Sequence, residues 1–273
     1  MSDDIGIGAG VALTVTNNQT DAHIGDGVTI THANDIGVSA TSEQNMDDAF
    51  ETTLSSEAVA GASGGEVAVA GALAVVVSNN ETQAYIGEGT TIDDANEITV
   101  QTDDTSRVSA KAWAGALSAD QESKAGVGAS FAFLLARNHN DAFIGRTADE
   151  KDDGIAATDT TINANSVKVK ATNHRVDQTS FEFDGFEALN PLNYIRSNNY
   201  YTEALAGAAS TGDTAVSGAF AINVFENRTE AYVDENVSLT TTGSQAGNDL
   251  GLSLIHISEP TRQLMSSRMP SSA

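Results

Sequence analysis

The sequence predicts an all-β fold, a β-solenoid of the parallel β-helix type built from tandem repeats of about sixty residues. Three observations predict this fold. One short pattern occurs four times, bulky and small residues alternate before each copy, and the chain of 273 residues contains only three prolines. Tandem copies with several short strands each are typical of a quasi-one-dimensional stack. The alternative is a series of small β-sandwich modules, although such a module usually needs about 100 residues.

The repeated pattern begins at an asparagine and ends in alanine, a ring side chain and an aliphatic residue. Its copies start at Asn18, Asn80, Asn138 and Asn227, and they are 62, 58 and 89 residues apart. The long last interval carries an acidic insertion near residues 146–157 and an aromatic insertion near 181–203. Without these insertions the period stays near sixty residues.

A strand is predicted immediately before each asparagine. In the second copy the bulky residues Leu73, Val75 and Val77 alternate with Ala72 and Ala74, and the other copies follow the same order. Such a period of two is the period of a strand, not of a helix. We therefore predict that the bulky face is buried and that the small face lets a neighbouring layer approach closely.

Further elements follow in each repeat. A second strand is predicted after the asparagine, and a third is predicted in the alternating runs 35–40, 97–102 and 166–171. The Asn-x-Thr triplets match the glycosylation pattern, but their fixed place favours side chains that cap a turn between strands. The segment Ala-x-Ala-Gly-Ala recurs at 58–62, 112–116 and 204–208. If each solenoid turn takes about 20 residues, a repeat of about sixty residues is predicted to form roughly three rungs.

The chain divides into a repetitive segment and a different tail. The repetitive segment covers residues 1–251, with repeat cores near 8–41, 69–102, 128–172 and 216–242. From Leu252 to Arg262 the sequence resembles, residue for residue, one reading frame of a transposase-type sequencing adapter, and 267–273 resembles the flow-cell end of that adapter. We therefore predict that residues 252–273 are a non-native tail. The natural protein is predicted to continue beyond Gly251, so that this chain is a fragment.

Composition excludes several classes of function. With 38 acidic and 13 basic residues the formal charge is -25, which repels nucleic-acid phosphate and anionic lipid. The longest apolar run, Val67 to Val77, is shorter than the roughly 20 residues of a membrane helix. We predict neither nucleic-acid binding nor membrane insertion. The lack of cysteine excludes disulfides and thiolate chemistry, and no cluster of residues indicates catalysis, so we predict that the chain is not an enzyme.

The repeat resembles that of a known class of surface proteins. The alternating strand, then Asn-x-Thr-x-Ala-Tyr-Ile-Gly-x-Gly, then Ile-x-Val-x-Ala, is similar to repeats of very large Gram-negative proteins of the leukotoxin-like filamentous adhesin and filamentous haemagglutinin-like type. The resemblance covers residues 6–242, with departures at Asn140 and Asp234. It implies a β-helical stalk, secreted or anchored in the outer membrane, that attaches cells to host or matrix proteins or to glycans. It also implies an export partner or barrel outside this fragment.

Two sets of side chains are candidates for binding. Aromatic residues gathered in the second insertion could stack on sugars or pack on a protein receptor, the alternative being a local hydrophobic cap over the stack. Paired aspartates could bind Ca²⁺ through oxygen ligands, the alternative being solvated turns, and calcium binding would raise the melting temperature. No other cofactor is predicted. The aromatic set is Phe181, Phe183, Phe186, Tyr194, Tyr200 and Tyr201, and the acidic set is Asp93, Asp94, Asp103, Asp104, Asp152 and Asp153.

Two further functions compete with the adhesin. A β-helical polysaccharide lyase or hydrolase needs a groove with clustered acids and a basic catalyst, whereas lysine and arginine are sparse in this chain. Ice or mineral binding needs flat threonine arrays, and Thr-x-Thr ladders do not recur in this sequence. Both functions therefore rank below a structural adhesin.

Overall fold

A computed structural model describes residues 5–43, 54–118, 124–147, 150–151, 154–174, 200–212, 214–242 and 250–255. Nearly all of these residues lie in β-strands. The strands are β1 (Ile5–Ile24), β2 (Thr29–Thr31), β3 (Asp35–Glu43), β4 (Leu54–Gly64), β5 (Val67–Ile86), β6 (Thr91–Thr105), β7 (Val108–Ser118), β8 (Ala125–Ile144), β9 (Thr160–Asn173), β10 (Tyr200–Ser210), β11 (Thr214–Val233), β12 (Val237–Thr241) and β13 (Leu250–Ile255).

The strands form three parallel sheets that stack the repeats on one another. Sheet A contains β1, β5, β8 and β11 in that order. Sheet B contains β2, β3, β6, β9, β12 and β13, and sheet C contains β4, β7 and β10. Because each repeat runs from sheet A through sheet B, and in the first three repeats on to sheet C, the chain winds as a parallel β-solenoid. The predicted fold class is confirmed.

Each repeat makes a single rung of the solenoid. Asn18 lies opposite Asn80, Asn80 opposite Asn138, and Asn138 opposite Asn227 in the ladder of sheet A. The prediction of roughly three rungs per repeat is therefore wrong. The prediction assumed strands that are too short, because each repeat supplies a strand of 20 residues to sheet A alone. The solenoid rises by only about 4.8 Å, one strand spacing, for each repeat.

Sheet C packs on the first half of sheet A through very small side chains. In β5 the inward residues Ala70 and Ala74 are buried, whereas the outward residue Leu73 is 36% exposed. The predicted close approach of the small face is confirmed, but the predicted burial of the bulky face is wrong. The reason is the narrow gap between the sheets, since a Cβ atom built at Gly8 would overlap the carbonyl oxygen of Gly61.

Sheet B and the second half of sheet A enclose a wider core. Here the inward side chains are large and aliphatic, and Ile86, Ile98 and Ile144 are fully buried. The third strand predicted in each repeat is confirmed as β3, β6 and β9. The cross-section therefore has a thin alanine-packed end and a thick isoleucine- and valine-packed end.

The asparagines of the repeat lie within the strands of sheet A, not at a turn, although Asn18 of the first rung is exposed. Sheet A continues without a break through Asn80 and Asn138, both of which are buried. The predicted second strand is thus the continuation of the first, and the predicted turn-capping role is wrong. The Nδ2 of Asn80 donates to the Oδ1 of Asn138 at 3.0 Å, and the Nδ2 of Asn173 donates to the Oδ1 of Asn227 at 3.2 Å, so that asparagines form a ladder through the second, third and fourth rungs.

A buried carboxylate joins this ladder where the three sheets meet. The side chain of Asp104, at the end of β6, accepts hydrogen bonds from Asn80 at 2.7 Å and from Asn138 at 2.5 Å. Ser106 and Asn173 also donate to it. Burial raises the pKa of Asp104, and its hydrogen bonds to Asn138, Asn80 and Ser106 oppose that rise. The polar groups of this junction are therefore paired with one another across neighbouring rungs.

The last strand enters the predicted tail. The backbone of β13 pairs with β9, with Leu250 opposite Val167 and Ile255 opposite Thr172. Parallel pairing requires only an extended backbone with free donors and acceptors. The pairing of Leu252–Ile255 therefore does not bear on the predicted adapter origin of residues 252–273.

Candidate functional site

The outward face of sheet C brings together a tryptophan, a tyrosine, a lysine and a glutamate. We call the set Lys111, Trp113, Tyr201, Glu203 and Leu205 the tryptophan patch. In the parallel ladder, Lys111 lies opposite Glu203 and Trp113 lies opposite Leu205. Because strand side chains alternate between faces, the odd-numbered residues of β7 and β10 share the outward side, while the alanines between them face the interior.

The carboxylate of Glu203 is held by two aromatic donors. The Nε1 of Trp113 donates to Oε1 of Glu203 at 3.0 Å, and the hydroxyl of Tyr201 donates to Oε2. These bonds fix the orientation of the carboxylate and leave its remaining lone pairs for other donors. They also orient both rings on a rigid parallel sheet, which favours a preformed surface.

A glycine column borders the tryptophan patch. Gly61, Gly115 and Gly207 lie opposite one another, and a Cβ atom built at any of them would meet nothing within 4 Å. The surface beside Trp113 is therefore a flat shelf of backbone. The indole of Trp113 and the oriented carboxylate of Glu203 beside such a shelf suit a ligand with a flat apolar face and hydroxyl donors, while the buried Tyr201 holds that carboxylate in place.

The predicted aromatic set divides between two places. Phe181, Phe183, Phe186 and Tyr194 lie outside the described residues. Tyr200 points inward, packs against the cluster of Val76 and Leu134, and stacks on Phe225 with ring centroids 5.6 Å apart. Burial raises the pKa of Tyr200. Tyr201, the next residue, lies on the opposite side of sheet C from Tyr200, in the tryptophan patch, where it is buried with 9% of the residue exposed. Ligand binding by this set stays a prediction.

The predicted acidic pairs are also separated by the strand geometry. Asp103 faces outward and lies 2.9 Å from His174, whereas Asp104 faces the interior. Asp93 accepts a hydrogen bond from Asn163, and Asp94 adopts a positive φ of 58° at the bulge of β6. Asp152 and Asp153 lie outside the described residues. In the part of the chain that the structure describes, no three histidine or acidic side chains are grouped so as to hold a metal ion.

A ladder of stacked rings runs along the outer face of sheet A. His23 stacks on Tyr85 and Tyr85 on Phe143, each with ring centroids 4.9 Å apart, and Phe143 stacks on Tyr232 at 5.0 Å. Lys151 of the first insertion places its Nζ 4.4 Å from the centroid of the Tyr232 ring, a cation–π contact. The ring position of the repeat is thus used for contacts between rungs.

Beside this ladder lies a second buried carboxylate, that of Asp141. Burial raises its pKa from 3.8 to about 6, and Glu230 and Glu81 act in the same direction. Arg228, whose Nε lies 3.9 Å from Oδ1 of Asp141, and His139 oppose the rise. The folded protein therefore holds a proton on Asp141 at a pH where the unfolded chain has released it.

We expect this proton to make stability depend on pH. The unfolding free energy should fall as the pH rises from about 4 to about 6, and two pKa units correspond to at most about 3 kcal/mol. Asp141→Asn should remove this contribution and stabilise the protein by about 2 kcal/mol at pH 7, since Gln83 already places an amide at this position in the previous rung. Urea unfolding across this pH range, followed by circular dichroism, measures the effect.

The control is Asp21→Asn in the same column of sheet A, where the side chain is more exposed. This substitution removes one negative charge without removing a buried carboxylate. If both variants change the pH dependence equally, the burial of Asp141 is not its cause.

Comparison with known proteins gives no relative for this chain. No family model matches it, and neither a curated protein nor a solved structure matches it. Among the described residues no helix is long and apolar enough to cross a membrane. The fold and the arrangement of side chains therefore define the class of protein, which is an all-β parallel solenoid with one repeat per rung.

Trp113, the only tryptophan of the chain, is not among the binding residues predicted from the sequence. A signal was present, because Trp113 occupies the variable position of the segment Ala-x-Ala-Gly-Ala. The other copies have Val59 and Leu205 there, so the position faces outward in every rung. Glu203 gives no comparable signal, since its contact with Trp113 depends on the pairing of strands that are 90 residues apart.

Proposed function

We propose that this chain is a segment of a secreted adhesin on a bacterial cell surface. Its rungs act as a structural stalk, its outward side chains act as an attachment surface, and it carries out no catalysis. The observation that carries this proposal is the one-repeat rung, in which all 20 positions of each sheet A strand pair in register and the repeated asparagine and alanine positions lie opposite their counterparts. Such a stack grows by adding identical rungs and resists bending through continuous ladders of backbone hydrogen bonds.

The interior supports a mechanical function. The alanine interface, the isoleucine and valine core and the asparagine ladder each run through successive rungs. The described rungs therefore share the same kinds of contact with their neighbours, as expected of a module selected for length. A catalytic site would instead require one rung to differ from the others in its chemistry.

The attachment surface that the geometry favours is the tryptophan patch. It combines a flat shelf, an oriented indole and a fixed carboxylate on a rigid sheet. Glycans offer both the apolar ring faces and the hydroxyl donors that such a surface accepts. We therefore propose a neutral or cationic glycan as the ligand, since a charge of -25 disfavours acidic ones.

The proposal is tested by binding of the purified full chain to an array of glycans and matrix proteins. Trp113→Ala should weaken glycan binding at least about tenfold, whereas Leu117→Ala, on the same face of β7, should not. Both variants should keep the circular dichroism spectrum of the wild type. Equal binding by the two variants would place the attachment surface elsewhere, and a wild type that binds nothing on the array would contradict attachment itself.

A polysaccharide-active enzyme is the second candidate, because one observation favours it. Glu57, Lys111 and Glu203 lie opposite one another on the outward face of sheet C, so two carboxylates flank an amine. This combination provides an acid and a base on one surface. Incubation of the full chain with a panel of polysaccharides decides between the candidates, since release of reducing ends or unsaturated products would replace the adhesin proposal by an enzyme.

A further inference from the structure

The outer face of the first half of sheet A is apolar and uncovered in the described chain. We call it the apolar face, and it consists of the odd-numbered positions of 5–15, 67–77 and 125–135 and the even-numbered positions of 214–224. Thr214 is its one polar residue, and none of these positions carries a charge. In a chain with a formal charge of -25, the charged residues are thus kept away from this surface.

The apolar face is large enough for a stable interface. It extends about 33 Å along the strands and about 15 Å across the four strands of sheet A. Ten of its large side chains are exposed, from 36% at Leu73 to 78% at Ile7, and the others, among them Phe131, are half-buried. These fractions amount to an exposed apolar area on the order of 1,000 Å², above the few hundred that a monomer usually exposes. A standard interface buries about 800 Å² on each partner.

The surface of the apolar face has a groove beside a ridge. The groove is the column of Ala9, Gly71, Ala129 and Gly218, which lie opposite one another. The neighbouring column, about 7 Å away along the strands, is a ridge of larger side chains. The ridge is Val11, Leu73, Phe131 and Phe220, and the two phenylalanine rings stack with centroids 5.8 Å apart.

We infer that the apolar face binds a second copy of this chain, face to face. A two-fold axis parallel to the solenoid axis, midway between groove and ridge, places the ridge of each copy over the groove of the other. Each rung then faces the same rung of the second copy, so that Leu73 lies over Gly71 and Phe131 lies over Ala129 of that copy. Two sheets pack about 10 Å apart in this way, and the two solenoids run in the same direction.

The match of sizes in three of the four rungs favours a second copy over an unrelated partner. The rung with the smallest ridge residue, Val11, has Ala9 in its groove, the rungs with Leu73 and Phe220 have glycine, and the remaining rung pairs Phe131 with Ala129. A charged partner would have to bury its charges against a face that provides no counter-charge. Because the two copies repel through their acidic surfaces, the association should strengthen with salt. This inference does not depend on the proposed attachment function.

The oligomeric state of the full chain tests the inference. Sedimentation equilibrium at about 0.05 M and about 0.5 M NaCl should show a monomer–dimer equilibrium that is tighter at the higher salt. Phe220→Glu should weaken the dimer at least about 100-fold. Leu205→Glu is the matched control, since both side chains are 59% exposed on outward strand faces, but Leu205 belongs to sheet C. A wild type that stays monomeric at high salt would overturn the inference, as would equal effects of the two substitutions.

Cysteine pairing tests the geometry, because the chain contains no cysteine of its own. Ala129→Cys and Phe131→Cys are prepared as separate variants, and equal amounts are mixed and treated with a short bismaleimide cross-linker. The two-fold arrangement places position 129 of one copy opposite position 131 of the other across about 10 Å, a gap that such a linker spans and a direct disulfide does not. We expect covalent dimers in the mixture and few in either variant alone. Equal cross-linking within the single variants would contradict this arrangement.

Discussion

We expect Gly128→Val to destabilise the protein by about 3 kcal/mol or more, because the added side chain has no space between sheets A and C. Gly128 faces inward from β8, and a Cβ atom built there would overlap the carbonyl oxygen of Gly207 in β10. That oxygen belongs to a backbone held in a parallel ladder, so it cannot move as a side chain would. The sheets would have to separate, and the neighbouring alanine contacts would be lost with them.

The control is Gly115→Val in the central strand of sheet C. A Cβ atom built at Gly115 points outward and meets nothing within 4 Å. This substitution should be neutral or stabilising by up to about 1 kcal/mol, since valine favours strands and glycine does not. Urea unfolding of both variants, followed by circular dichroism, gives the difference. Similar losses of stability in the two variants would mean that the gap between sheets A and C is not the limiting feature.

The strands and their stacking could be predicted from the sequence, because both depend on local patterns. Alternation of bulky and small residues defines a strand, and four copies of one pattern define positions that stack. Which face of each strand points into the solenoid could not be predicted in the same way. Both Leu73 and Ala74 are apolar, and which of them is buried depends on how close the opposing sheet lies. A clue was present in the alanines of 58–62 and 112–116, which form the opposing surface.

The number of residues per rung was missed for a related reason. A repeat of sixty residues fits either several short turns or one turn with long sides. The alternation of period two before Asn80 continues after it without a shift, which indicates one long strand. The prediction of three rungs rests on a typical solenoid turn of about 20 residues, and the predicted end of the first strand rests on the asparagine, a residue that favours turns when it is exposed. Here Asn80 is buried, and its side chain is satisfied by the side chains of other rungs.

The candidate site was the least predictable part. Tyr201 was identified from its aromatic neighbours, but its partners Trp113 and Glu203 are brought together only by the register of β10 on β7. The same holds for Asp103 and Asp104, which look like one acidic pair in the sequence. A strand places their carboxylates on opposite faces, so the pair cannot act as one ligand set.

We expect Asp104→Leu to destabilise the protein by about 3–5 kcal/mol, since it leaves buried donors without an acceptor. Asn80, Asn138, Asn173 and Ser106 all donate to this carboxylate at the junction of the three sheets. Leucine fills a similar volume but accepts no hydrogen bond, and the amides cannot reach water. Asp104→Asn should cost less, because it keeps one acceptor oxygen and because Asn173 already places an amide at this position in the next rung.

The matched control is Asp103→Leu, one residue earlier on the same strand. Asp103 faces outward, and its ion pair with His174 lies at the surface, so its removal should cost less than about 1 kcal/mol. The urea midpoints of the three variants should therefore follow the order Asp103→Leu, Asp104→Asn, Asp104→Leu, from most to least stable. If Asp104→Leu were as stable as Asp103→Leu, the donors at the junction would have to find other acceptors. The asparagine ladder would then be a consequence of the stacking and not one of its causes.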